Sequence, residues 1–315
     1  MACDIVPDHP RGQGEFHMRI GFVGIGSIGY PMARQLLRHG FEVRAYDRRQ
    51  EAIGKIGADG AAAARSVAEA AEGADVLITS LPGPPEMEAV AGDIIANLPE
   101  GATWIDMTTN DVHVVQAQGE KAAARGRHML EGTVSCGVKR AYEGKLTIFV
   151  GGEEDVFDRH RAVFDAMAET VIRVGPLGHA TVAKLITNML AFVHQVAFAE
   201  GMMLGARSGL ELEPLWRAIN ASYGGSFVSE NDGPRLLGGE FNETFALRLV
   251  CKDSRLTAAL AQETGTPMPV ATLVEQTYER ARLHYGDDAT CHNVMRLIEE
   301  AVGQELRADL EDGAP

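Results

Sequence analysis

Cysteine is scarce in this chain: there are four in 315 residues, Cys3, Cys136, Cys251 and Cys291, and no two form a CxxC pair. Such spacing argues against a disulfide framework and against a zinc site, and it fits a reducing, cytoplasmic compartment. The ten histidines show no metal-ligand spacing, so no metal is expected. Long basic runs are also missing, and the formal net charge is -15. Nucleic-acid binding relies on a Lys/Arg surface that neutralises phosphates, and membrane-surface binding on a basic patch, so neither partner is expected. An anionic small molecule would gain nothing from the overall field and would need cations inside its own site. The longest uncharged apolar stretch, Leu185 to Ala199, is too short to cross a bilayer and carries Asn188, His194 and Gln195. Residues 1–17 lack the apolar core of a signal peptide and read as a disordered extension. No internal repeat is evident.

What is present is an ordinary globular mixture, 45% hydrophobic and 23% charged, in a chain long enough for two domains. From Arg19 to about Val174, short aliphatic runs alternate with Ala-rich stretches. The runs Ile20–Val23, Val43–Tyr46, Val76–Thr79, Trp104–Asp106 and Leu146–Val150 read as strands, and 30–39, 66–72, 85–97 and 111–125 as helices. That alternation predicts βαβ units and a mostly parallel sheet with helices on both faces. After Gly178 the pattern is helical throughout: one long run from about Ala180 to Ala206, then 214–222, 230–236, 251–264, 269–284 and 289–308, with an acidic, frayed tail from Arg307. The expected division is therefore an α/β domain over 18–178, which the glycine-rich turn Gly24 to Gly29 after its first strand marks as a dinucleotide-binding domain of Rossmann type, and an all-α domain over 179–310. The long helix is apolar around most of its circumference, which predicts burial between domains or between subunits of a homodimer or homotetramer.

Gly24-Ile25-Gly26-Ser27-Ile28-Gly29 is a G-x-G-x-x-G that directly follows an apolar strand and opens a helix with Pro31 in its first turn. In that context each glycine has a reason: a tight turn, backbone room for a pyrophosphate, and close helix–strand packing. The helix N-terminus supplies free N–H groups to the phosphates. Asp47 ends the second strand 18 residues beyond Gly29, where a carboxylate accepts hydrogen bonds from an adenosine ribose and disfavours a 2′-phosphate. The expected cofactor is NAD. Arg48 and Arg49 follow at once and offer a cation to the extra phosphate, so NADP remains possible.

Lys184 and Asn188 lie four apart near the start of the long helix and share a face. Most such pairs are surface pairs, but Ala183, Leu185, Ile186 and Met189 around this one are apolar. A partly buried lysine has a lowered pKa and exchanges a proton near neutral pH. Asn188 is placed to orient a hydroxyl or the lysine itself.

With these residues in view, the chain from Met18 to about residue 300 resembles the β-hydroxyacid dehydrogenase family, which includes 3-hydroxyisobutyrate dehydrogenases and the glyoxylate and succinic semialdehyde reductases. The likeness runs through four ordered blocks: Gly21 to Ala33; Val134-Ser135-Cys136-Gly137 with Gly144-Lys145-Leu146 and Val150-Gly151-Gly152; Gly175-Pro176-Leu177-Gly178 with Lys184 and Asn188; and Phe245 with Lys252-Asp253. The resemblance implies that Ser135, Cys136 and Gly137 hold a substrate carboxylate and that Lys184 is the general acid/base. It also implies that Phe245, Lys252 and Asp253 close over nicotinamide and substrate, and that Leu81, Pro82 and Thr109 line the cofactor and substrate. The cofactor contacts it implies include Gly24, Gly26, Ser27, Ile28, Gly29, Asp47, Arg48, Leu81, Pro82, Thr109 and Lys252.

Departures matter too. Cys136 replaces a glycine of the family's Ser-Gly-Gly, as a small pocket-lining side chain or a reactive thiol, and Thr187 replaces the first of two adjacent asparagines. Lys139 and Arg140, just past the substrate turn, are either solvated or a second anion site. The expected function is hydride transfer between a nicotinamide dinucleotide and a small anionic β-hydroxyacid or its semialdehyde. An imine reductase on the same scaffold and a non-catalytic dinucleotide-binding module are the alternatives; retention of Lys184 and of the Ser135 turn counts against both.

Overall fold

The computed structural model describes residues 18–241, 245–308 and 310. The extension expected over 1–17 lies outside the described residues. In chain order the strands are β1 (Arg19–Val23), β2 (Glu42–Tyr46), β3 (Ala62–Ala63), β4 (Val76–Thr79), β5 (Thr103–Asp106), β6 (His128–Ser135), β7 (Leu146–Gly151) and β8 (Ala168–Gly175). Helices α1 (Gly29–Arg38), α2 (Gln50–Ala58), α3 (Val67–Ala71), α4 (Pro84–Asn97) and α5 (Val112–Ala123) alternate with the first six strands. Between β6 and β7 lies α6 (Gly137–Glu143), and α7 (Glu154–Arg159) and α8 (Arg161–Asp165) precede β8. Then follow α9 (His179–Arg207), α10 (Leu212–Asn220), α11 (Phe227–Asn231), α12 (Gly233–Leu237), α13 (Leu247–Thr264), α14 (Pro269–Tyr285) and α15 (Asn293–Val302).

One sheet carries all eight strands in the order β3-β2-β1-β4-β5-β6-β7-β8. Every pairing is parallel except β6 with β7. Because successive side chains point to opposite faces, the sheet feeds two cores. Phe22, Ile78, Ile105 and Leu130 pack with Met32 and Leu36 of α1 and Ile53 of α2. Leu77, Trp104 and Met129 pack on the opposite face with Ala70 of α3, Met87 and Ile94 of α4 and Val115 of α5. The chain order reverses at β1, with β2 on one side and β4 on the other, so a crevice opens at the C-terminal ends of these strands.

The five expected strands are all present, and β3, β6 and β8 are additional, as are α2, α6, α7 and α8. Beyond residue 178 no strand forms among the described residues, only an isolated bridge between Ala246 and Thr290. The helix expected over 230–236 is two short ones, α11 and α12, and the one expected over 289–308 stops at Val302, where Gly303 takes φ 72°. The chain beyond it is tied down through Ala308, and the rest of the tail expected to fray, residue 310 apart, lies outside the described residues. The buried Glu299 carboxylate holds Arg307, and Ala308 N donates to the Leu237 carbonyl at 2.9 Å.

At 29 residues α9 is a rod of roughly 43 Å. An 18-residue window within it is long and apolar enough, with mean hydropathy 1.4, to cross a membrane by length and composition. Its buried side, however, carries Lys184, Asn188 and Gln195 and packs on β6, β7 and β8 at one end and on α13, α14 and α15 further along. That is the position of a core helix. The opposite side leaves Ile186, Leu190 and Leu204 exposed, so burial falls on one face rather than around the circumference.

Candidate active site

The glycine-rich turn sits at the end of β1, facing that crevice. A Cβ on Gly24 would stand 2.2 Å from the Ser80 carbonyl oxygen, and one on Gly29 2.0 Å from that of Gly24, so both positions need glycine for packing. Gly26 has nothing within 4 Å, which leaves its backbone open to an approaching group. No side chain caps α1, whose N-cap is Ile28; Tyr30 N donates to the Gly26 carbonyl at 2.9 Å and Pro31 has no N–H, so what the helix start offers an anion is its positive dipole end. This cradle fits a dinucleotide pyrophosphate on geometry alone.

Asp47 braces the glycine-rich turn. Its carboxylate accepts from Ile25 N at 2.8 Å and from Arg49 N at 2.8 Å, which ties the end of β2 to the glycine-rich turn. The Arg49 guanidinium joins them, 3.2 Å from Asp47 Oδ1 and 3.0 Å from the Ile25 carbonyl. The arginine engaged here is thus Arg49, whereas Arg48 makes no such contact among the described residues. Across the crevice, Leu81 N donates to the Thr108 hydroxyl at 3.1 Å. Asp106, wholly buried at the end of β5, accepts from Thr79, Thr108 N and Asn110 and so shapes the loop that presents Thr109. Asp106 escaped the sequence reading, although an acid ending a strand shortly before Thr-Thr-Asn was an available signal; Arg49 was expected as a cation for a phosphate, and its bonds to Asp47 and Ile25 were not.

On α9 the expected pair forms. Lys184 Nζ donates to Asn188 Oδ1 at 2.8 Å, and Asn188 Nδ2 donates to Asp253 Oδ2 at 2.8 Å. Lys252 on α13 stands 3.0 Å from Asp253 Oδ1 and donates to the Thr109 carbonyl at 2.7 Å. A continuous line of contacts therefore runs from Lys184 through Asn188, Asp253 and Lys252 to the loop after β5. Burial pulls the Lys184 ammonium down to about 8; Asp253 and the nearby Cys136 push the other way, and Lys252 adds to the fall. Lys252 also lies over Gly83, next to Leu81 and Pro82, where a Cβ would be 3.0 Å from its Cδ.

Ser135 ends β6 opposite Thr147 of β7, and Cys136 and Gly137 form the turn into α6. Cys136 has φ 79°, the only non-glycine positive φ among the described residues, so it keeps the left-handed geometry that a glycine would adopt freely. Its thiol lies 3.5 Å from the Thr147 hydroxyl. Arg140 is engaged: Glu169 holds it at 3.1 Å and its guanidinium lies over the Phe227 ring. Phe245 stacks on Phe192 in the helical core.

Residues 19–175 match the family profile described as the NAD binding domain of 6-phosphogluconate dehydrogenase. Residues 178–298 match that of NADP-dependent 3-hydroxyisobutyrate dehydrogenase. The chain belongs to the β-hydroxyacid dehydrogenase family. An NAD-dependent L-serine dehydrogenase of Pseudomonas aeruginosa is 33% identical over 82% of this chain and 91% of its own length. The mitochondrial 3-hydroxyisobutyrate dehydrogenase of mouse is 33% identical over 82% of this chain and 80% of its own. The Mycobacterium tuberculosis 3-hydroxyisobutyrate dehydrogenase solved with L-serine superposes with a TM-score of 0.82 at 28% identity, over 90% of this chain and 99% of that one. An imine reductase from a Pseudomonas species shares the fold at a TM-score of 0.60 and 17% identity, a likeness in fold alone. The chain is accordingly an NAD(P)-dependent oxidoreductase, with an N-terminal sheet domain of Rossmann type and a helical C-terminal region.

Proposed function

We propose that this chain oxidises a small β-hydroxyacid, or reduces the corresponding semialdehyde, with Lys184 as general acid/base and NAD favoured over NADP. The observation that carries the reading is the buried Lys184–Asn188–Asp253 line, with an amine whose pKa of about 8 lets it hold or release a proton near neutrality. The nicotinamide, when bound, supplies the hydride chemistry. In oxidation, neutral Lys184 Nζ takes the hydroxyl proton; in reduction, the ammonium returns it to the forming alkoxide oxygen. Asn188 fixes the amine's direction, and Asp253 fixes Asn188. The Ser135 hydroxyl and the Gly137 N–H hold the substrate carboxylate, so that the reacting carbon is positioned before the chemistry begins. Cys136 lines this turn.

The names of the relatives support the substrate class: serine, 3-hydroxyisobutyrate and, for a Cupriavidus necator relative, L-threonate are all small hydroxyacids. A homodimer or homotetramer is part of the reading, because Ile186, Leu190 and Leu204 leave apolar area on α9 that a second copy would cover. The compartment proposed is the cytoplasm, supported by the free thiols of Cys136, Cys251 and Cys291. Absorbance at the nicotinamide band, followed with purified protein across a panel of hydroxyacids and semialdehydes, tests the function. Turnover of cyclic imines with no turnover of any hydroxyacid would overturn it.

A further inference from the structure

The strand that delivers Ser135 and the helix that carries Lys184 are joined by a buried carboxylate outside the line of contacts described above. Glu131, in the middle of β6, is 1% exposed. It accepts from Ala180 N and Thr181 N, each at 2.9 Å, and from the Thr181 hydroxyl at 2.6 Å. All three donors belong to the first turn of α9. Thr133, two residues further and on the same strand face, donates to the Ala180 carbonyl at 3.1 Å. The helix's own N-cap, Gly178, has no side chain to offer, so its exposed N–H groups are satisfied from the strand instead.

Room for this carboxylate is built into the next strand. Glu131 pairs with Gly151 of β7, and a Cβ on Gly151 would lie 2.1 Å from Glu131 Oε1. Any larger residue there would displace the carboxylate. Burying an acid is expensive unless hydrogen bonds compensate it, and burial does push the Glu131 pKa up while the Thr181 and Ala180 donors oppose the rise. A serine or aspartate at the N-cap would satisfy the same helix end at the surface. What the buried acid adds is a fixed distance between two elements.

Resting on the acid/base reading of Lys184, we infer that Glu131 is a positioning residue that sets Lys184 against the Ser135–Gly137 turn. Ala180 is one helical turn before Lys184, so a shift of the helix start moves the amine directly. Ser135 is four residues beyond Glu131 on the same strand and the same face. A displacement of about 1 Å in such a site costs on the order of 100-fold in rate.

Two variants test this. Glu131→Gln keeps the shape but turns an amide N–H toward backbone donors, and Thr181→Val removes only the hydroxyl's bond. For Glu131→Gln, kcat should fall about 10- to 100-fold while the hydroxyacid KM and the NADH Kd stay within about 3-fold. For Thr181→Val the fall should be at least about 3-fold. In both, amide hydrogen exchange over residues 178–186 should quicken, and the solvent deuterium isotope effect on kcat should grow as proton transfer becomes limiting. A purely structural role predicts a lower Tm, kcat scaling with the folded fraction, and an unchanged isotope effect. Those results, or a kcat within about 2-fold of the parent in either folded variant, overturn the inference; should Glu131→Gln fail to fold, Thr181→Val decides it. Lys184→Ala assayed alongside separates the two possible failures. Turnover surviving that change sinks the role of Lys184, whereas turnover lost there but kept in Glu131→Gln sinks only the role of Glu131.

Discussion

The Lys184 ammonium and the Asn188 carbonyl meet at 2.8 Å across one turn of α9, both buried and with the amide's other end committed to Asp253. An asparagine held on both sides cannot rotate freely, so the amine has one preferred direction. Removing that amine should be a chemical loss rather than a binding loss. Lys184→Ala is expected to lower kcat by about 10²- to 10⁴-fold, with NADH Kd little changed. Steady-state kinetics with fluorescence titration of NADH checks it; near parental turnover would remove Lys184 from the mechanism.

The pH profile should carry the same group's signature. Oxidation needs the neutral amine, so kcat/KM for the hydroxyacid should rise with pH and level off above about 8. Reduction needs the ammonium, so the semialdehyde profile should fall through the same region. Because Asp253 raises the Lys184 pKa, Asp253→Asn should move both limbs to lower pH. Limbs that stay in place in that variant would show that another group titrates.

Cofactor choice should turn on Asp47. Its carboxylate braces the glycine-rich turn through Ile25 N, and in the proposed site it would crowd a 2′-phosphate. The expected order is a higher kcat/KM with NAD than with NADP. Asp47→Asn should narrow the ratio by about 10-fold or more, the equivalent of roughly 1.4 kcal/mol. A parent enzyme that prefers NADP would mean that the arginines at 48 and 49 govern the site.

Cys136 holds a conformation that costs a side chain about 1–2 kcal/mol. Cys136→Gly should therefore stabilise the protein by about 0.5–1 kcal/mol after the greater flexibility of the unfolded chain is counted. Cys136→Ala, which keeps a Cβ, should not. Urea unfolding midpoints of the three proteins measure this, and equal midpoints would show that the turn relaxes without cost.

Strong periodicity made much of this legible. The runs that form β1, β2, β4, β5 and β7 are short and aliphatic, and the 29-residue α9 has no competing reading. The strand β6 was hidden because Glu131 and Gly132 interrupt its apolar run, and the reason for a charge there lies in α9, 49 residues away along the chain. β8 was hidden because it is an edge strand with an exposed Ile172 and solvent-facing polar neighbours. In α2, Gly54 and Gly57 dilute a helix whose buried face is only Ile53 and Ile56. In the site, Lys184 and Asn188 were readable from a four-residue spacing. The bonds to Asp253, to Arg49 and to Asp106 were not, because each joins or shapes elements that only the folded sheet and helices bring together.

Glu131 and Gly151 also constrain how this protein can change over generations. The space one side chain uses is the space the other lacks, since a Cβ at 151 and the acid at 131 cannot coexist at 2.1 Å. Neither position can drift alone: a bulkier residue at 151 is tolerable only after the acid at 131 has shortened or gone, and a shortened acid leaves the start of α9 under-satisfied until some other donor–acceptor arrangement replaces it. Among descendants of a common ancestor the two sites should therefore alter as a pair, with glycine at 151 wherever the longer acid stands at 131.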